Sequence, residues 1–343
     1  MNLLILKVNH LGDNVVFVPV VQALRAAFPK ARLHLVSTPA EAILYRGVLA
    51  AGDIFAPAER PAFNHAWRQQ PWSVPGWLLR FARMRANGCL VSYDQGNFVH
   101  LISRWFGGDV RIGANMHYVR VRQSITHEVP PPTDWNVVRW NWAMGRALAQ
   151  ALDPRVDWPD VVPPPDLRHL LTRPSPEPKQ TIVIHAGTKM AIRQWSMERF
   201  AELAARLARD HPVIWVDRPE TRGVSLSPAI TTVSPANVRE LAQLVADARL
   251  YIGNNSGPMH LANAFGTPGV ILSGPSSYGW DPYWYPDRWT VLRRPHLACL
   301  PCESPAKGVD RCANTGDPLA CLNHWTVDLV EAAVRQRLSQ AIR

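Results

Sequence analysis

The sequence predicts a two-domain α/β protein in which two doubly wound parallel sheets are joined by a proline-rich linker. Short apolar runs of strand length alternate with helix-patterned segments in both halves of the chain, which is typical of parallel sheets. Eight prolines lie between Asp153 and Lys179, where they favour an extended connector. A chain of 343 residues also has the length of two ordinary domains.

The first half opens with a β-α-β pattern. The nearly continuous apolar run from Leu3 to Val8 has the length and composition of a buried strand. A Gly-Asp turn follows, then a helical pattern that ends at Ala27, then the apolar run from Leu33 to Val36. This order predicts that the two strands pair in parallel.

The second half repeats the same alternation of strand and helix. Ile182 to Ile184 is predicted to be a strand, and apolar positions at helical spacing from Met197 to Ala208 predict the helix that follows. The later predicted elements are a strand at Val213–Val216, a helix that starts at Ser234–Pro235, a strand at Tyr251–Gly253, a helix over Pro258–Phe265 and a strand at Gly269–Leu272.

These elements define the predicted domain boundaries. We expect a first domain over residues 1–155, a linker over 156–178, a second domain over 179–325 and a final segment over 326–343. Two doubly wound domains leave a cleft between them. Ligands of such folds bind at the carboxyl ends of the strands.

Composition excludes several classes of protein. A hydrophobic content of 47% excludes disorder and collagen, and the net charge of +10 indicates anionic partners. The start of the chain does not resemble a signal peptide, because Lys7 interrupts its apolar run, and the next apolar run, Val15 to Val21, is far shorter than a membrane span. We therefore expect a cytoplasmic protein, with peripheral contact at the inner face of the cytoplasmic membrane left open.

The first candidate site is the turn after the first strand. Gly12 and Asp13 open the first predicted helix, so that backbone N–H groups at its start face the cleft. Asp13 has the chemistry of a general base for a bound hydroxyl. The alternative is that Asp13 caps the helix, as aspartate often does.

The second candidate site is the turn after the strand at Ile182–Ile184. Thr188, Lys189 and Arg193 supply a hydroxyl and two cations within six residues, which suits a diphosphate. The turn lacks the Gly-Lys-Ser/Thr order of a Walker A motif. The alternative is an ordinary loop with solvated cations.

The third candidate site follows the strand at Tyr251–Gly253. Ser256 and Gly257 precede a proline that begins a helix, which aims free backbone N–H groups at an anion. His260 lies in the first turn of that helix. A lone helical histidine is more often structural, but this one is next to the predicted phosphate site.

Four of the five cysteines are clustered near the end of the chain. Cys299, Cys302, Cys312 and Cys321 fall within 23 residues. Four thiolates suit a tetrahedral structural zinc or iron without an open position for catalysis. The alternatives are unliganded thiols and stress-induced disulfides.

Most of the excess charge lies in the predicted first domain. Nine arginines and two acids occur from Arg60 to Arg122, a net charge of 9 − 2 = +7 over that segment. Arginine suits phosphate and carboxylate groups, so an anionic acceptor is expected, with Arg60 and Arg120 among its contacts. Interleaved tryptophans in the same segment suit sugar rings or a membrane surface. The alternative is a solvated basic face over an ordinary core.

Three segments together resemble glycosyltransferase family 9, the ADP-heptose:lipopolysaccharide heptosyltransferases. The segments are LLILKVNHLGDNVVFVPVVQALRAAFP, IHAGTKMAIRQWSMERFAELAARL and YIGNNSGPMHLANAFGTPGVILSGPSS. The resemblance implies a GT-B fold of two Rossmann-like domains facing across a cleft, with the acceptor on the first domain and the nucleotide sugar on the second. It also implies that a final helix, about Val327 to Ile342, returns to the first domain.

The resemblance assigns roles to the candidate residues. Asp13 matches the family's general base, and Gly12 in the same turn is expected to contact the donor. Thr188 and Arg193 fall where the family contacts the diphosphate, with Arg193 in place of a usual lysine.

Further matches extend the expected donor site. Ser256, Gly257 and His260 match the family segment that holds phosphate and sugar, and Glu220 is a weaker match to an acid that contacts ribose. Asn255 is a departure, because the family usually has aspartate there.

The implied reaction is an inverting transfer of heptose from ADP-heptose to a hydroxyl of an anionic saccharide such as the lipopolysaccharide inner core. Lys189, Arg193 and a helix end would neutralise the leaving group without a catalytic metal. The cysteine set is similar to one that holds iron in heptosyltransferases of autotransporter proteins, so a protein or small-molecule acceptor is the alternative. A nucleotide-sugar epimerase would need further acid-base residues in the cleft, and the sequence does not reveal them. A nucleic-acid-binding protein would be expected to carry a recognised motif, and none accompanies the charge.

Overall fold

The computed structural model describes residues 1–114, 116–294, 296–304 and 309–340. The chain divides into two compact units, Met1–His169 and Leu170–Arg343. The division falls inside the predicted linker.

The first unit contains a six-stranded, fully parallel sheet in the order β3-β2-β1-β4-β5-β6. Its elements are β1 Asn2–Leu6, α1 Leu11–Val15, α2 Val18–Ala27, β2 Arg32–Val36, β3 Ile54–Phe55, α3 Arg60–Asn64, α4 Ala66–Gln69, α5 Val74–Met84, β4 Gly88–Val91, α6 Asn97–Phe106, β5 Val110–Gly113, β6 His127–Glu128 and α7 Val137–Leu152.

Both faces of this sheet are covered, which explains the continuous apolar runs of its central strands. In β1 every residue after Asn2 is buried, as expected for a parallel strand between two helical layers. Helices α2 and α7 pack against each other, and α7 also contacts β4 and β5. Side chains from α3, α5 and α6 form a core cluster with residues of β1, β2 and β4.

The second unit repeats the architecture, with a parallel sheet in the order β12-β11-β10-β7-β8-β9. Its elements are β7 Ile182–His185, α8 Met197–Leu207, β8 Val213–Val216, β9 Thr231–Val233, α9 Val238–Ala246, β10 Leu250–Asn254, α10 Gly257–Ala264, β11 Gly269–Leu272, β12 Trp289–Leu292, α11 Ala320–Asn323 and α12 Val327–Gln340.

Each sheet has one pair of neighbouring strands between which the order of connection reverses. In the first unit the pair is β1 and β4, and in the second it is β7 and β10. Loops leave in opposite directions at such a switch point and open a crevice at the carboxyl ends of the two strands. The predicted site residues after β1, β7 and β10 therefore lie at the two switch points.

The proline-rich segment packs on the units that it joins. Trp158 is buried against Trp142, with 4.8 Å between ring centroids, and the Trp142 indole N–H donates to the Pro159 carbonyl at 2.8 Å. Beyond the division, Arg173 pairs with Asp247 of the second unit at 2.5 Å. The segment is thus attached along its length.

Two predicted helices differ from the structure. Helix α9 begins at Val238 and not after Ser234, because the Asn237 side chain accepts a hydrogen bond from the Glu240 N–H and caps the helix there. The final helix was predicted to return to the first domain. Instead α12 packs on α8, β11 and β12, with Val330 and Val334 fully buried in the core of the second unit.

Within the described ranges, no helix combines the length and apolar character needed to cross a membrane.

Candidate functional site

The loops that follow β1 and β4 form the candidate site of the first unit. The Gln95 side chain accepts a hydrogen bond from the Val8 N–H at 3.1 Å and donates to the Asn9 side chain. Asn14 donates to the Asn9 carbonyl at 2.8 Å and accepts from the Tyr45 hydroxyl at 2.8 Å. These contacts hold the start of α1 against the loop after β4.

Asp13 is the third residue of α1, not its cap. The cap is His10, which makes no side-chain capping hydrogen bond. One Asp13 carboxylate oxygen accepts a hydrogen bond from the Tyr93 hydroxyl, which comes from the loop after β4. Gly12 is buried one residue earlier in the same helix. The described hydrogen bond of Asp13 therefore crosses the switch point, and the capping interpretation does not account for it.

Charge around Asp13 keeps its carboxyl group ionised. Burial, the largest single influence, raises the pKa of Asp13, but it is outweighed by Lys7, the Tyr93 hydrogen bond and Arg60, with a further contribution from His10, so the pKa lies below its ordinary value. A carboxylate that is ionised and partly exposed can accept a proton from a bound hydroxyl.

Lys7 is the nearest strong influence on that carboxylate. Its ammonium group is fully buried, donates to the Ser92 hydroxyl at 2.8 Å and lies 4.8 Å from the centroid of the Tyr93 ring. Burial lowers the pKa of Lys7 to about 8, although Asp13 and Asp94 act in the opposite direction. Tyr93 thus contacts both the lysine and Asp13.

Arg60, predicted to bind the acceptor, lies in the same electrostatic environment. It pairs with Asp94 at 2.7 Å and also donates to the Asp94 carbonyl at 3.0 Å, while the Tyr118 hydroxyl donates to the other Asp94 oxygen at 2.8 Å. Burial opposes the charged form of Arg60, but Asp94 and Asp13 outweigh it and the pKa of Arg60 is raised. The structure therefore places Arg60 and Asp13 within electrostatic range of each other.

Arg120 is not shown in that group. It is exposed on the loop between β5 and β6, and its backbone N–H donates to the Asn97 side chain at 2.7 Å. The tryptophans of the basic segment from Arg60 to Arg122 also differ in exposure. Trp77 is buried in the core, whereas Trp67 is 49% exposed and Trp72 is 92% exposed.

In the second unit, Asn254 at the end of β10 joins the loops of the switch point. Its side chain donates to the Ala186 carbonyl at 2.6 Å and accepts from the Trp195 N–H at 3.1 Å. Gln194 donates to the same carbonyl at 2.9 Å. The segment after β7 is therefore fixed beside the start of α10.

Glu220 lies close to the Thr188 turn. A Cβ built on Gly187 would come within 3.7 Å of the Glu220 carboxylate, so the loop after β8 reaches the turn after β7. Lys189 is exposed on that turn, and the Thr188 hydroxyl accepts a long hydrogen bond of 3.4 Å from the Met190 N–H. The structure thus brings these three predicted residues to one edge of the sheet.

Arg193 is held by contacts that the sequence did not reveal. Its Nε donates to the carboxylate of Glu303, a residue that is only 1% exposed. The Ser276 hydroxyl donates to the same carboxylate oxygen at 3.0 Å. The Arg193 guanidinium carbon lies 5.2 Å from the centroid of a Trp280 ring.

A second carboxylate lies beside Asn255. The Asn255 amide donates to Asp281 and to the Ser273 hydroxyl, both at 3.2 Å, and Arg293 donates to the same two acceptors at 2.6 Å. Burial raises the pKa of Asp281 to about 6, although Arg293 acts against it. A carboxylate paired with Arg293 therefore lies next to Asn255, the position where the resemblance implies an aspartate.

The third predicted turn forms the beginning of α10. Ser256 is the cap, with extended backbone and no side-chain capping hydrogen bond, and Gly257 is the first helical residue. His260 is buried in the first turn, only 6% exposed. Pro258 within that turn lacks an N–H group, so the remaining N–H groups at the helix start are those available to an anion.

The four clustered cysteines line one pocket of the second unit. Cys299, Cys302, Cys312 and Cys321 surround it together with residues that include Arg311, and all four are free thiols. Burial raises the pKa of Cys321 to about 11, and the other three thiols add to this effect. In the described part of the chain, no three His, Cys, Asp or Glu side chains are close enough together to hold a metal ion. The donor set fits tetrahedral zinc or iron in chemistry, while the thiols are not drawn together around one point.

Sequence reasoning missed several of these residues. Lys7 was noticed only as an interruption of an apolar run, although a lysine inside an apolar run of this length is itself a signal of a functional charge, because lysine is seldom buried without a partner. Tyr93, Asp281 and Glu303 lie in loops far along the chain from their partners. No spacing pattern connects them.

Comparison with known proteins agrees with this architecture. The model of glycosyltransferase family 9 (heptosyltransferase) matches residues 166–310. Lipopolysaccharide heptosyltransferase 3 of Escherichia coli is 22% identical over 298 residues, which cover 79% of this chain and 83% of that protein. Heptosyltransferase WaaC of E. coli, solved with ADP-2-deoxy-2-fluoro heptose, has a TM-score of 0.69 at 16% identity and covers 98% of this chain and 99% of its own.

An iron-containing relative has a similar fold. The dodecameric iron-containing heptosyltransferase TibC of enterotoxigenic E. coli, solved with ADP-D-beta-D-heptose, has a TM-score of 0.58 at 15% identity and covers 99% of this chain and 77% of its own.

Two doubly wound units with charged residues at each switch point, together with these likenesses, define a glycosyltransferase with the GT-B type of fold. The structures show the fold. The family model over residues 166–310 and the related sequence both support glycosyltransferase family 9. This confirms the predicted fold class and the resemblance seen in the sequence.

Proposed function

We propose that this glycosyltransferase transfers heptose from ADP-heptose to a hydroxyl of an anionic saccharide such as the lipopolysaccharide inner core. The observation that carries the proposal is Asp13, a carboxylate kept ionised by Lys7, Tyr93 and Arg60 at the switch point of the first sheet. The match of residues 166–310 to the family model supports this class of donor, and WaaC and TibC have been solved with nucleotide heptoses.

The reaction is a single displacement in which Asp13 accepts the proton of the acceptor hydroxyl. The acceptor oxygen forms a bond to the anomeric carbon as the bond from that carbon to the diphosphate breaks, and ADP leaves with the electron pair. One displacement inverts the anomeric configuration. Arg60, paired with Asp94, is suited to an anionic group of the acceptor, and Arg120 is a second candidate.

The second unit supplies the groups for the donor. Thr188, Lys189 and Arg193 lie on the segment after β7, and the start of α10 at Ser256–Gly257 lies beside it. Cations and helix N–H groups stabilise the charge that develops on the departing diphosphate. We propose that Glu220 contacts a ribose hydroxyl and that His260 contacts the phosphate-sugar end of the donor. Gly12 is proposed as a backbone contact to the donor.

The test of this proposal is Asp13→Asn. Asparagine preserves the size of the side chain but cannot take up the hydroxyl proton, so transfer from ADP-heptose to core oligosaccharide is expected to fall by at least about 100-fold. Binding of ADP, measured by isothermal titration calorimetry, is expected to stay within about twofold.

The matched control is Asp53→Asn. Asp53 is another acid of the first unit that pairs with an arginine, Arg32, at 2.6 Å. Its replacement is expected to leave turnover unchanged. Undiminished turnover in Asp13→Asn would reject the base assignment, and a wild-type protein that neither transfers heptose nor releases ADP would reject the reaction itself.

A protein acceptor is the second candidate. The four cysteines that line one pocket favour it, because this cysteine set resembles the iron-holding set of heptosyltransferases of autotransporter proteins. The similar structure of TibC is likewise iron-containing. Parallel assays with core oligosaccharide and with an autotransporter passenger domain, each followed by mass spectrometry, distinguish the two acceptors. Heptose on the passenger domain alone would contradict the saccharide proposal.

We also propose that Cys299, Cys302, Cys312 and Cys321 hold a structural zinc or iron. All four line one pocket, and such a site would have thiolate ligands alone. The metal would contribute folding free energy, while the cations and the start of α10 serve the reaction.

The first unit is further proposed to touch the inner face of the cytoplasmic membrane. Its basic segment from Arg60 to Arg122 includes the exposed Trp67 and Trp72. Basic side chains and tryptophan are the combination that binds anionic lipid surfaces.

A further inference from the structure

Glu303 is the buried carboxylate next to Cys302, and its described ion pair is with Arg193. We propose that Glu303 is a positioning residue that orients the Arg193 guanidinium toward the diphosphate of the nucleotide-sugar donor. This inference rests on the proposed function, because it requires Arg193 to contact the donor.

The Glu303 carboxylate is buried, ion-paired and hydrogen-bonded. One Glu303 oxygen accepts from Arg193 Nε and from the Ser276 hydroxyl, the latter at 3.0 Å. The side chain is only 1% exposed, and a carboxylate is tolerated at that depth when it is paired and hydrogen-bonded. Glu303 is therefore fixed before any ligand arrives.

The described contacts of Arg193 use Nε and one face of the guanidinium. Glu303 accepts from Nε, and the Trp280 ring lies against the group at 5.2 Å. The Arg193 side chain keeps 22% of its surface exposed. The two terminal nitrogens form a different edge of the guanidinium from the one that carries the Nε–H, so the described contact with Glu303 does not use the pair that suits a phosphate.

Backbone contacts hold Glu303 in turn. Its N–H donates to the Pro275 carbonyl at 3.2 Å, and its own carbonyl accepts from the Ser277 N–H at 3.1 Å. The Cys302 N–H donates to the same Pro275 carbonyl at 3.0 Å. Pro275 and Cys302 line the cysteine pocket together with Ile192, the residue before Arg193. The segment that contains the clustered cysteines thus also contains Glu303, which pairs with Arg193, the predicted phosphate contact.

Two effects of removing the Glu303 charge oppose each other. The net charge near the donor becomes one unit more positive, which favours a diphosphate. Arg193, however, loses its charged acceptor and its fixed orientation, so binding must order a long side chain at the moment the ligand arrives. We expect the second effect to dominate, because Nε is partly buried and keeps no charged acceptor.

The experiment compares Glu303→Gln with the wild-type protein by calorimetric titration of ADP and of AMP. The ADP dissociation constant is expected to rise about tenfold, because ordering one long side chain has an effect of that order. The AMP constant is expected to change less than twofold, since AMP lacks the second phosphate. In an Arg193→Gln background, Glu303→Gln is expected to add less than twofold to the ADP constant.

Two further variants separate positioning from damage to the fold. Glu331→Gln removes another carboxylate of the second unit that pairs with arginines, Arg206 and Arg335, and is expected to leave ADP affinity unchanged. Ser276→Ala removes one hydrogen bond from Glu303 and is expected to weaken ADP two- to threefold even if Glu303→Gln does not fold.

The outcomes are distinct. Equal or tighter ADP binding in Glu303→Gln would overturn the inference, and so would an equal loss for ADP and AMP, which would indicate general damage. If Glu303→Gln does not fold, unchanged ADP affinity in Ser276→Ala would overturn it. A wild-type protein that does not bind ADP would contradict the proposed function, and the inference with it.

Discussion

At the scale of single residues, Lys7 and Asp13 each favour the charged form of the other. Lys7 is fully buried in the segment that follows β1, and its charge is the largest of the influences that lower the pKa of Asp13. Burial lowers the pKa of Lys7 and raises the pKa of Asp13, and in both cases it disfavours the charged form. The charge of each group acts against this effect on the other.

Lys7→Met tests this coupling. Without the ammonium group, burial raises the pKa of Asp13 with less opposition, so the acidic limb of the kcat/KM profile is expected to move upward by at least about one pH unit. In the wild-type protein the Asp13 pKa is lowered, so the limb lies below the ordinary aspartate range. The measurement is the rate of heptose transfer between about pH 2.5 and pH 9, a range that includes the acidic limb.

Lys30→Met is the matched control, because Lys30 is an exposed lysine of the same unit. Its profile is expected to coincide with that of the wild-type protein. Coincident profiles for Lys7→Met and the wild-type protein would show that Lys7 does not set the protonation of Asp13.

At the scale of elements, the segment from Cys299 to Cys321 is predicted to bind a metal, and the pocket that its cysteines line also includes Ile192, the residue before Arg193. Protein purified under reducing conditions is expected to contain about one equivalent of zinc plus iron. Cys302→Ser and Cys321→Ser are expected to lose most of it, because each removes one of four ligands. Plasma emission spectrometry of the purified protein measures both metals.

Cys89→Ala is the control for the metal measurement. Cys89 is fully buried in the core of the first unit and is expected to have no part in metal binding. A small fraction of one equivalent in the wild-type protein would reject the metal. Equal metal content in all variants would reject these ligands.

The elements also show what the sequence can predict. Strands such as Val213–Val216 and Gly269–Leu272 were predicted to the residue, because a parallel strand covered on both faces is a continuous apolar run. The position of Asp13 at the start of a helix was predicted because the residue follows such a strand. The predicted start of α9 was wrong. Both Ser234 and Asn237 are residue types that cap helices, and it is the Asn237 side chain that accepts a hydrogen bond from the Glu240 N–H.

The remaining site contacts depend on long-range packing. Glu303 meets Arg193 across 110 positions, and Tyr93 meets Asp13 across 80. Local periodicity carries no information about such pairs. Likewise, the apolar stripe of α12 shows that the helix packs on something, whereas only the structure shows that its partner is the second sheet.

At the scale of the whole molecule, the charge is unevenly distributed. The chain carries +10, of which the segment from Arg60 to Arg122 contributes 9 − 2 = +7. Trp72, within that segment, is 92% exposed. An exposed tryptophan among arginines is suited to the headgroup layer of an anionic bilayer.

Vesicle sedimentation tests this surface. The protein is expected to bind vesicles that contain phosphatidylglycerol, to bind pure phosphatidylcholine weakly, and to dissociate as salt rises from 0.1 to 0.5 M, values at which screening becomes about twofold stronger. Trp72→Ala is expected to weaken binding several-fold, because it removes the most exposed aromatic side chain of the segment.

Leu329→Ala is the control for the vesicle experiment, since Leu329 is an exposed apolar residue of the second unit, 45% exposed. Its binding is expected to equal that of the wild-type protein. Equal binding to charged and neutral vesicles would contradict a surface that recognises anionic lipid.

The strand order has a consequence for how such an enzyme can diverge. Both sheets use the same connection scheme, and in each most of the candidate site residues follow the pair of strands where that scheme reverses. The outer strands and their loops can therefore lengthen or shorten while that pair stays in register. Under the proposed assignment of the acceptor to the first unit, a new acceptor requires changes in that unit alone, and descendants that share one donor can come to modify chemically unrelated acceptors.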